Sequence, residues 1–472
     1  MINRGASIEY NGVWWLPMAD NKPLHGILRY TPNEGFELEV IGSFFELPEL
    51  LHRRQNLEII QGTSSDGKGI TLYKCFQSKA SFGSPSIGSQ GIRSTRYKPS
   101  RIFVGAHFDK EPVFKNIIIN YSYLDEWINI SGFEIPMPSE DRELIIKYKM
   151  PKDITMALDE NYALAITHSS EGPNLSFVQK ESCIKQFTYI RIESKKENTM
   201  KEYDDIIKKI RNFLSFGVGK AVYPLTIIGQ NEEYVSFYGT KKIYDDIGIY
   251  YNYMKIPNTF EPLIPPEMFF TFEEISDSFE IFIRNWFNRA EVLAPVFDLY
   301  FSNIYTAKLY LETRFLNAAQ AIESYHRRKE TTTKYECLPE EHEARIMSII
   351  YSAPIEHRKW LDAQLKHSNE VNLGRRLKEI LSLHKEIAEI YIGNNQEQKD
   401  FIYSVVTARN YLTHFDKDGE AKSAKGKDLL IIIEKLKILI KACLLNEIGM
   451  DYTQIKTILE RYRKHSFMAW VE

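Results

Sequence analysis

Three polar residues near the C-terminal end of the chain have the types and spacing needed for chemistry on a phosphodiester. Arg409, Asn410 and His414 lie in the segment RNYLTHF, which follows apolar residues at helical spacing. In a helix, Asn410 and His414 lie one turn apart on the same face. Arginine offers a forked, permanently charged donor for phosphate oxygens, and histidine accepts or donates a proton near neutral pH. The arrangement suits the cleavage of RNA.

The spacing between the arginine and the histidine is weak evidence by itself. A chain of this length contains about one such pair by chance, and Arg101 and His107 in RIFVGAH meet the same loose spacing. These two residues fall in a strand-like segment without helical context, so we interpret them as surface or packing residues. For His414 the alternative is a structural residue at a helix end that bonds a carbonyl group.

Composition indicates the class of protein in which these residues act. The 472 residues are enough for two or three domains, and 43% hydrophobic and 26% charged residues are typical of a soluble globular protein. The net charge is −3, and the four cysteines show neither a CxxC pair nor metal-ligand spacing. We therefore expect no metal site. No apolar run has membrane-spanning length and no secretory signal is apparent, so we expect a cytoplasmic protein.

Hydrophobic periodicity divides the chain into three regions. Short runs of β-branched and aromatic residues predict strands in residues 1–198, with a hairpin turn at Asp66-Gly67 and a long loop at 81–95. Residues 199–270 begin with a helical pattern, continue with further strands and end in a proline-bearing stretch. Residues 271–472 show helical spacing almost throughout. We predict an α+β multidomain protein in which a β-rich N-terminal region precedes an all-α bundle.

Several stretches, taken in order, resemble the HEPN superfamily, whose hallmark is Arg-x4-6-His on a helix of a small bundle, commonly with Asn after the Arg. The resemblance is closer to the ApeA-like HEPN proteins of bacterial antiphage defence. In the last third it is carried by ETRFLNAAQAIESYHRR (312–328), NLGRRLKEIL (372–381) and VVTARNYLTHFD (405–416). GVWWLP (12–17), HGILRYTPNEGFELEVIGSF (25–44), IIQGTSSDGKGITLYKC (59–75) and YLDEWINISGF (123–133) resemble the N-terminal domain that accompanies this type.

This resemblance implies a metal-independent endoribonuclease that needs no cofactor. A ribose 2′-OH would attack the adjacent phosphate and leave a 2′,3′-cyclic phosphate and a 5′-OH, so DNA should not be cut. His414 would act as general base or acid, Arg409 would stabilise the charge on the phosphorane oxygens, and Asn410 would orient them. The resemblance also implies a homodimer in which two such motifs face each other across a two-fold axis.

Two further pairs of residues are expected to assist. Glu323 and His326, on an earlier helix, are expected as secondary members of the site, with the polar face of an amphipathic helix as the alternative. Arg375 and Arg376 are expected to follow an RNA backbone, with a solvated helix start as the alternative.

The implied function is that of an abortive-infection effector, and it carries expectations about partners. RNA is the substrate, with tRNA anticodon loops as a candidate because their bases are splayed. The β-rich region is expected to sense a phage-derived trigger or a ligand. Trp14 and Trp15 are candidates for that contact, although tryptophans are more often core residues. Two other functions remain open: a catalytically silent HEPN module for binding or assembly, and a ligand sensor whose helical domain only dimerises.

Overall fold

The computed structural model divides the chain into two compact units, Met1–Glu280 and Ile281–Glu472. It describes residues 7–17, 22–31, 34–45, 56–81, 94–136, 145–176, 178, 180–252, 255–306, 308–329, 331, 333–366, 368–415 and 417–465. The predicted fold class is confirmed, since strands dominate the first unit and helices the second. Most of the loop predicted at 81–95 lies outside the described residues. No described helix is both long enough and apolar enough to cross a membrane.

Antiparallel strands dominate the first unit. Twelve of the described strands form one sheet in the order β10-β11-β12-β7-β13-β16-β6-β3-β2-β1-β4-β5, and β14 with β15 and β8 with β9 form two-stranded sheets. The strands are β1 (Ile8–Trp15), β2 (Leu24–Thr31), β3 (Gly35–Ile41), β4 (Asn56–Ser64), β5 (Gly69–Ser81), β6 (Ser94–Val104), β7 (Val113–Tyr121), β8 (Phe133–Glu134), β9 (Lys147–Tyr148), β10 (Ile154–Ala157), β11 (Tyr162–Ser176), β12 (Glu181–Thr199), β13 (Pro224–Gln230), β14 (Val235–Tyr238), β15 (Lys241–Tyr244) and β16 (Ile247–Tyr251).

The first six strands close on themselves because β6 pairs with both β3 and β5. Alternate side chains of these strands point inward and form an apolar core. Trp14 is fully buried in that core and packs over Gly62, where a Cβ atom would lie 2.2 Å from the indole Cε3. Trp15 is half-buried, and its indole N–H donates to the Gln61 side chain at 2.8 Å. Trp14 is therefore a core residue and has no surface for a ligand or a trigger.

Among the residues that the structure describes, the first unit contains the α-helices α1 (Leu124–Ile128) and α2 (Met200–Val218). The helical pattern predicted from residue 199 is confirmed by α2. Thr199 and Glu202 form a capping box at its start, and Gly219 ends it with a φ of 79°. The predicted turn at Asp66-Gly67 lies between β4 and β5, and Gly67 has a φ of 82°.

Helices make up the second unit, and the first of them, α3 (Phe279–Val292), spans the boundary between the units. The others are α4 (Ala294–Tyr305), α5 (Leu311–Arg328), α6 (Pro339–Ser352), α7 (Ile355–Leu365), α8 (Leu373–Leu383), α9 (Lys385–Tyr391), α10 (Asn395–His414), α11 (Lys417–Glu420), α12 (Gly426–Glu447) and α13 (Tyr452–His465). Helix α5 packs against α4, α10 and α12. It is one of the helices against which α10, with Arg409, Asn410 and His414, packs.

Helix α12 is apolar on nearly every face in its second half, and residues 438–445 are all buried. A helix that is apolar all round belongs in the centre of a bundle. Its Lys441 is buried too, with Nζ 3.6 Å from the centroid of the Tyr462 ring. Burial lowers the pKa of Lys441 to about 7. The lysines that interrupt this apolar run in the sequence are thus partly enclosed by the bundle.

A buried histidine beside α12 makes the stability of the helical unit depend on pH. His384 is 4% exposed, and its Nε2 lies 3.6 Å from the Cys443 Sγ. Burial, reinforced by the positive charge of Lys329, lowers the pKa of His384 from 6.5 to about 4. Above pH 6.5 the imidazole is neutral in both the folded and the unfolded chain. Between pH 6.5 and 4 only the unfolded chain takes up the proton, so acid favours unfolding.

We expect the free energy of unfolding to fall by about 2 kcal/mol between pH 7 and pH 5 through His384. Urea unfolding of the full chain at both pH values measures this loss. His384→Leu should show a smaller loss, whereas His357→Leu, at an exposed position of α7, should behave as the wild type. An unchanged pH dependence in His384→Leu would contradict the prediction.

Candidate active site

The helix that carries the candidate catalytic residues is defined at both ends. The Asn394 side chain accepts hydrogen bonds from the backbone at the start of α10, and Glu397 completes a capping box. The helix ends at His414, where Phe415 adopts a left-handed backbone with a φ of 52°. One face of α10 is buried in the bundle at helical spacing, through Phe401, Val405, Ala408 and Leu412. The polar residues at its C-terminal end therefore lie at the surface.

Arg409 lines a cleft between α5 and α10 with a volume of about 400 Å³. Its Nη2 lies 3.9 Å from the Glu323 Oε2, and its Nη1 donates to the Asn410 Oδ1 at 3.3 Å. The Arg409 side chain is 39% exposed. The remaining lining residues are Leu316, Ala319, Gln320, Leu412 and Thr413. The guanidinium is accessible and loosely held, so its donors can turn to a phosphate.

Asn410 and His414 are exposed and are not among the lining residues of that cleft. Each helical residue turns by about 100°, so His414 leaves α10 about 140° from Arg409 and about 40° from Asn410. The His414 side chain has no hydrogen bond to another described residue. One copy of the chain thus brings Arg409 together with Asn410 and Glu323, but it leaves His414 on a neighbouring face.

Glu323 links Arg409 to a wider charged network. Its Oε1 accepts from Arg327 at 3.3 Å, and the other arm of the Arg327 guanidinium lies 3.0 Å from the Glu370 carboxylate. The Glu323 side chain is 19% exposed, so it is partly shielded from water. Glu323 therefore lies between two guanidinium groups, closer to that of Arg327 than to that of Arg409. The sequence expectation that Glu323 assists the site is compatible with this position beside Arg409.

His326 and Arg376 form a buried polar pair between α5 and α8. The Arg376 Nη1 donates to the His326 Nδ1 at 3.3 Å, and its Nε donates to the Val371 carbonyl at 2.8 Å. The opposite nitrogen of His326 donates to Glu379 at 2.8 Å. Burial lowers the pKa of His326. The hydrogen bond and the negative charge of Glu379 raise this pKa, and the positive charge of Arg376 lowers it further. The imidazole is therefore neutral at pH 7, with its proton on Nε2.

This burial corrects the role expected for Arg376. The residue is 1% exposed, and an RNA backbone has no access to its guanidinium. His326 is completely buried and likewise has no surface for RNA. Both residues act in the packing of α5 against α8.

Arg375 is 42% exposed, but its guanidinium has acidic partners. It forms an ion pair with Glu336, and its Nε lies 3.7 Å from the Glu379 Oε1. Burial alone would raise the pKa of Glu379, but hydrogen bonds from His326 and Thr333 lower it overall. The RNA contact expected of Arg375 would require it to exchange Glu336 for a phosphate.

The other arginine–histidine pair of the sequence is structural. Arg101 forms an ion pair with Asp204, and its guanidinium lies 4.9 Å from the centroid of the Tyr251 ring. The His107 Nε2 lies 2.9 Å from the Gly62 carbonyl, and its ring meets that of Trp15 edge-on. These contacts fit the interpretation as packing residues. Among the residues that the structure describes, no group of three or more His, Cys, Asp or Glu side chains could hold a metal ion.

Sequence reasoning passed over some residues that surround Arg409 and His326. Gln320, Arg327 and Glu379 lie in the cleft or in the adjoining network. Gln320 precedes Glu323 by three positions, so helical spacing alone places both on one face of α5. Glu379 follows Arg375 by four positions on α8 in the same way. A search one helical turn away from Glu323 on α5 and from Arg375 on α8 would have found Gln320 and Glu379.

Two family models match the chain, and between them they include residues of both units. The model of ApeA N-terminal domain 1 matches residues 9–286, which is more than half of the chain. The model of the Apea-like HEPN domain matches residues 316–454, a range that contains α5, α8 and α10. Domains of the HEPN type are commonly ribonucleases. No curated protein and no solved structure matches the chain.

Proposed function

The chain belongs to the ApeA-like HEPN family, and from that premise we propose that it is an antiphage effector that cleaves RNA without a metal ion. The observation that carries the proposal is the accessible Arg409 guanidinium, which lines a cleft and contacts Asn410 on the helix that ends in His414. In phosphodiester transesterification an accessible cation stabilises the charge that builds on the phosphate, an imidazole transfers a proton, and an amide can orient the cation.

The proposed reaction begins with the ribose 2′-OH of the substrate. Its oxygen attacks the adjacent phosphorus while a general base removes the proton. The bond to the 5′-oxygen then breaks, and a general acid protonates that leaving oxygen. Arg409 donates hydrogen bonds to the non-bridging oxygens as negative charge builds on them. Asn410 accepts from Arg409 and thereby orients the guanidinium. The products are a 2′,3′-cyclic phosphate and a 5′-OH.

We propose that two copies of the chain complete the site. The reaction requires one proton acceptor and one proton donor, and His414 supplies one imidazole per chain. His414 is exposed and does not line the Arg409 cleft of its own chain, which supports a role toward a second copy. A two-fold axis would then place two Arg409 and two His414 residues around one phosphate.

Incubation of the purified protein with total RNA and with tRNA in excess EDTA tests this function. We expect cleavage in EDTA by the wild type and cleavage about 10²–10⁴-fold slower by His414→Ala. His357→Ala, an exposed histidine on α7, is the matched control and should cleave as the wild type.

Three outcomes of that incubation would change or extend the proposal. Absence of cleavage with and without phage extract would favour the alternative of a silent HEPN module for binding or assembly. Cleavage at the wild-type rate in His414→Ala would contradict the assignment of this residue. Activation that requires phage extract would support a phage-derived trigger acting on the first unit.

A further inference from the structure

We propose that the cleft between α5 and α10 is a binding subsite for one nucleobase of the RNA, and that the Gln320 amide selects adenine there. This inference rests on the proposed RNA cleavage, because it takes Arg409 as the group that binds the phosphate.

The floor of the cleft suits the flat face of a base. It is formed by apolar side chains of both helices, namely Leu316 and Ala319 of α5 and Leu412 of α10. Ala319 is 2% exposed and Leu412 is 8% exposed, so the floor is continuous with the core of the bundle. The volume of about 400 Å³ lies within the range of small-molecule sites in proteins. A base laid on this floor would cover the apolar surface that remains exposed there, chiefly that of the partly buried Leu316.

The polar side chains that line the cleft differ in the hydrogen bonds and ion pairs that they already form within the protein. The Glu323 carboxylate is held by Arg327 and faces Arg409, and the Thr413 hydroxyl donates to the Arg409 carbonyl at 2.7 Å. Gln320 is exposed and has no hydrogen bond to any other described residue. Its amide therefore offers both a donor and an acceptor beside the apolar side chains of the cleft, which is the arrangement that fixes the orientation of a bound ligand.

Arg409 connects the cleft to the chemistry. Its guanidinium lines the same cleft as Gln320. In a ribonucleotide the base and the phosphate are separated by one ribose. A base on the apolar floor therefore brings its own phosphate toward the Arg409 donors. The cleft would select the nucleotide beside the bond that is cut.

The amide of Gln320 favours adenine over guanine. Glutamine pairs with adenine in a bidentate manner, with its oxygen accepting from N6 and its nitrogen donating to N7. Guanine presents two acceptors on that edge, so the amide oxygen would face the guanine O6. Unstacked bases of single-stranded RNA expose this edge to a protein.

Cleavage and binding of defined RNA oligonucleotides test the subsite. The probes are uridine 12-mers with one central A, G or C, and their non-cleavable 2′-O-methyl counterparts for fluorescence anisotropy. The wild type should cut beside A about 10-fold faster than beside G, and it should bind the A-containing probe more tightly. Gln320→Leu should lose that preference, and Gln320→Lys should move it toward G because lysine pairs with the guanine edge.

Gln396→Leu is the matched control, because Gln396 is an exposed glutamine at the other end of α10. It should keep the wild-type preference. Both positions are exposed, so neither replacement should affect folding.

The results separate the subsite from the proposed function. A preference for A that persists in Gln320→Leu, or a wild type without any base preference in either assay, would overturn the subsite. Cleavage without an effect of Gln320 would leave the ribonuclease proposal standing. Binding that depends on Gln320 without any cleavage, with or without phage extract, would support the subsite and contradict the ribonuclease proposal.

Discussion

Replacement of Arg409 by alanine is expected to slow RNA cleavage by about 10²–10³-fold while the fold stays intact. The side chain is 39% exposed, and its contacts to Asn410 at 3.3 Å and to Glu323 at 3.9 Å are long. Its removal therefore breaks few stabilising contacts. It does remove the charged donors that face the phosphate in the proposed transition state. Single-turnover cleavage measures the rate, and thermal unfolding verifies that the fold is unchanged.

Two further variants make this result specific. Arg409→Lys keeps the charge but loses the planar fork, so we expect a rate between those of the wild type and Arg409→Ala. Arg345→Ala removes an exposed arginine of α6 and should cleave as the wild type. Full activity in Arg409→Ala would show that the cleft is not the phosphate site. An equal loss in Arg345→Ala would point to a general effect of charge on RNA binding.

Replacement of Arg376 by alanine is expected to lower the free energy of unfolding by about 2–5 kcal/mol. Arg376 is 1% exposed and donates to the Val371 carbonyl and to the His326 Nδ1. Its loss opens a cavity and removes a buried donor to the Val371 carbonyl and to the His326 Nδ1. Urea unfolding of the full chain measures the change. RNA cleavage by the folded protein should remain close to that of the wild type.

Its neighbour provides the control for this prediction. Arg375→Ala removes a side chain that is 42% exposed and paired at the surface, so we expect a loss of stability below about 1 kcal/mol. If Arg376→Ala kept the stability of the wild type but bound RNA more weakly, Arg376 would contact RNA. That result would contradict the structural role that we assign to this residue. Equal effects of the two substitutions would contradict the difference that the structure shows between them.

The helices that carry the site could be predicted because their signals are local. Apolar residues at i, i+3 and i+4 define α5 and α10, and the positions of Arg409, Asn410 and His414 on one helix follow from them. The closure of the first six strands could not be predicted in this way. It depends on β6 pairing both with β5, the strand before it, and with β3, which lies far from β6 in the sequence.

The environment of individual charged residues could not be predicted from the sequence either. Arg375 and Arg376 are adjacent in the sequence and look alike there, but one is at the surface and the other is enclosed by α5 and α8. Burial of a charged residue depends on the partner that a distant helix supplies, here His326. The cleft depends on a distant helix in the same way, because Gln320 of α5 and Arg409 of α10 line it together only in the folded chain.

The most direct test of the central claim is the cleavage of one RNA oligonucleotide and of the same oligonucleotide with a single 2′-deoxy nucleotide at the cleaved position, both in EDTA. Cleavage of the all-ribose substrate should give a 2′,3′-cyclic phosphate and a 5′-OH, as determined by mass spectrometry. The 2′-deoxy substrate should remain intact at that position, because the attacking hydroxyl is missing. Cleavage of the 2′-deoxy substrate, or products that carry a 5′-phosphate, would contradict the account.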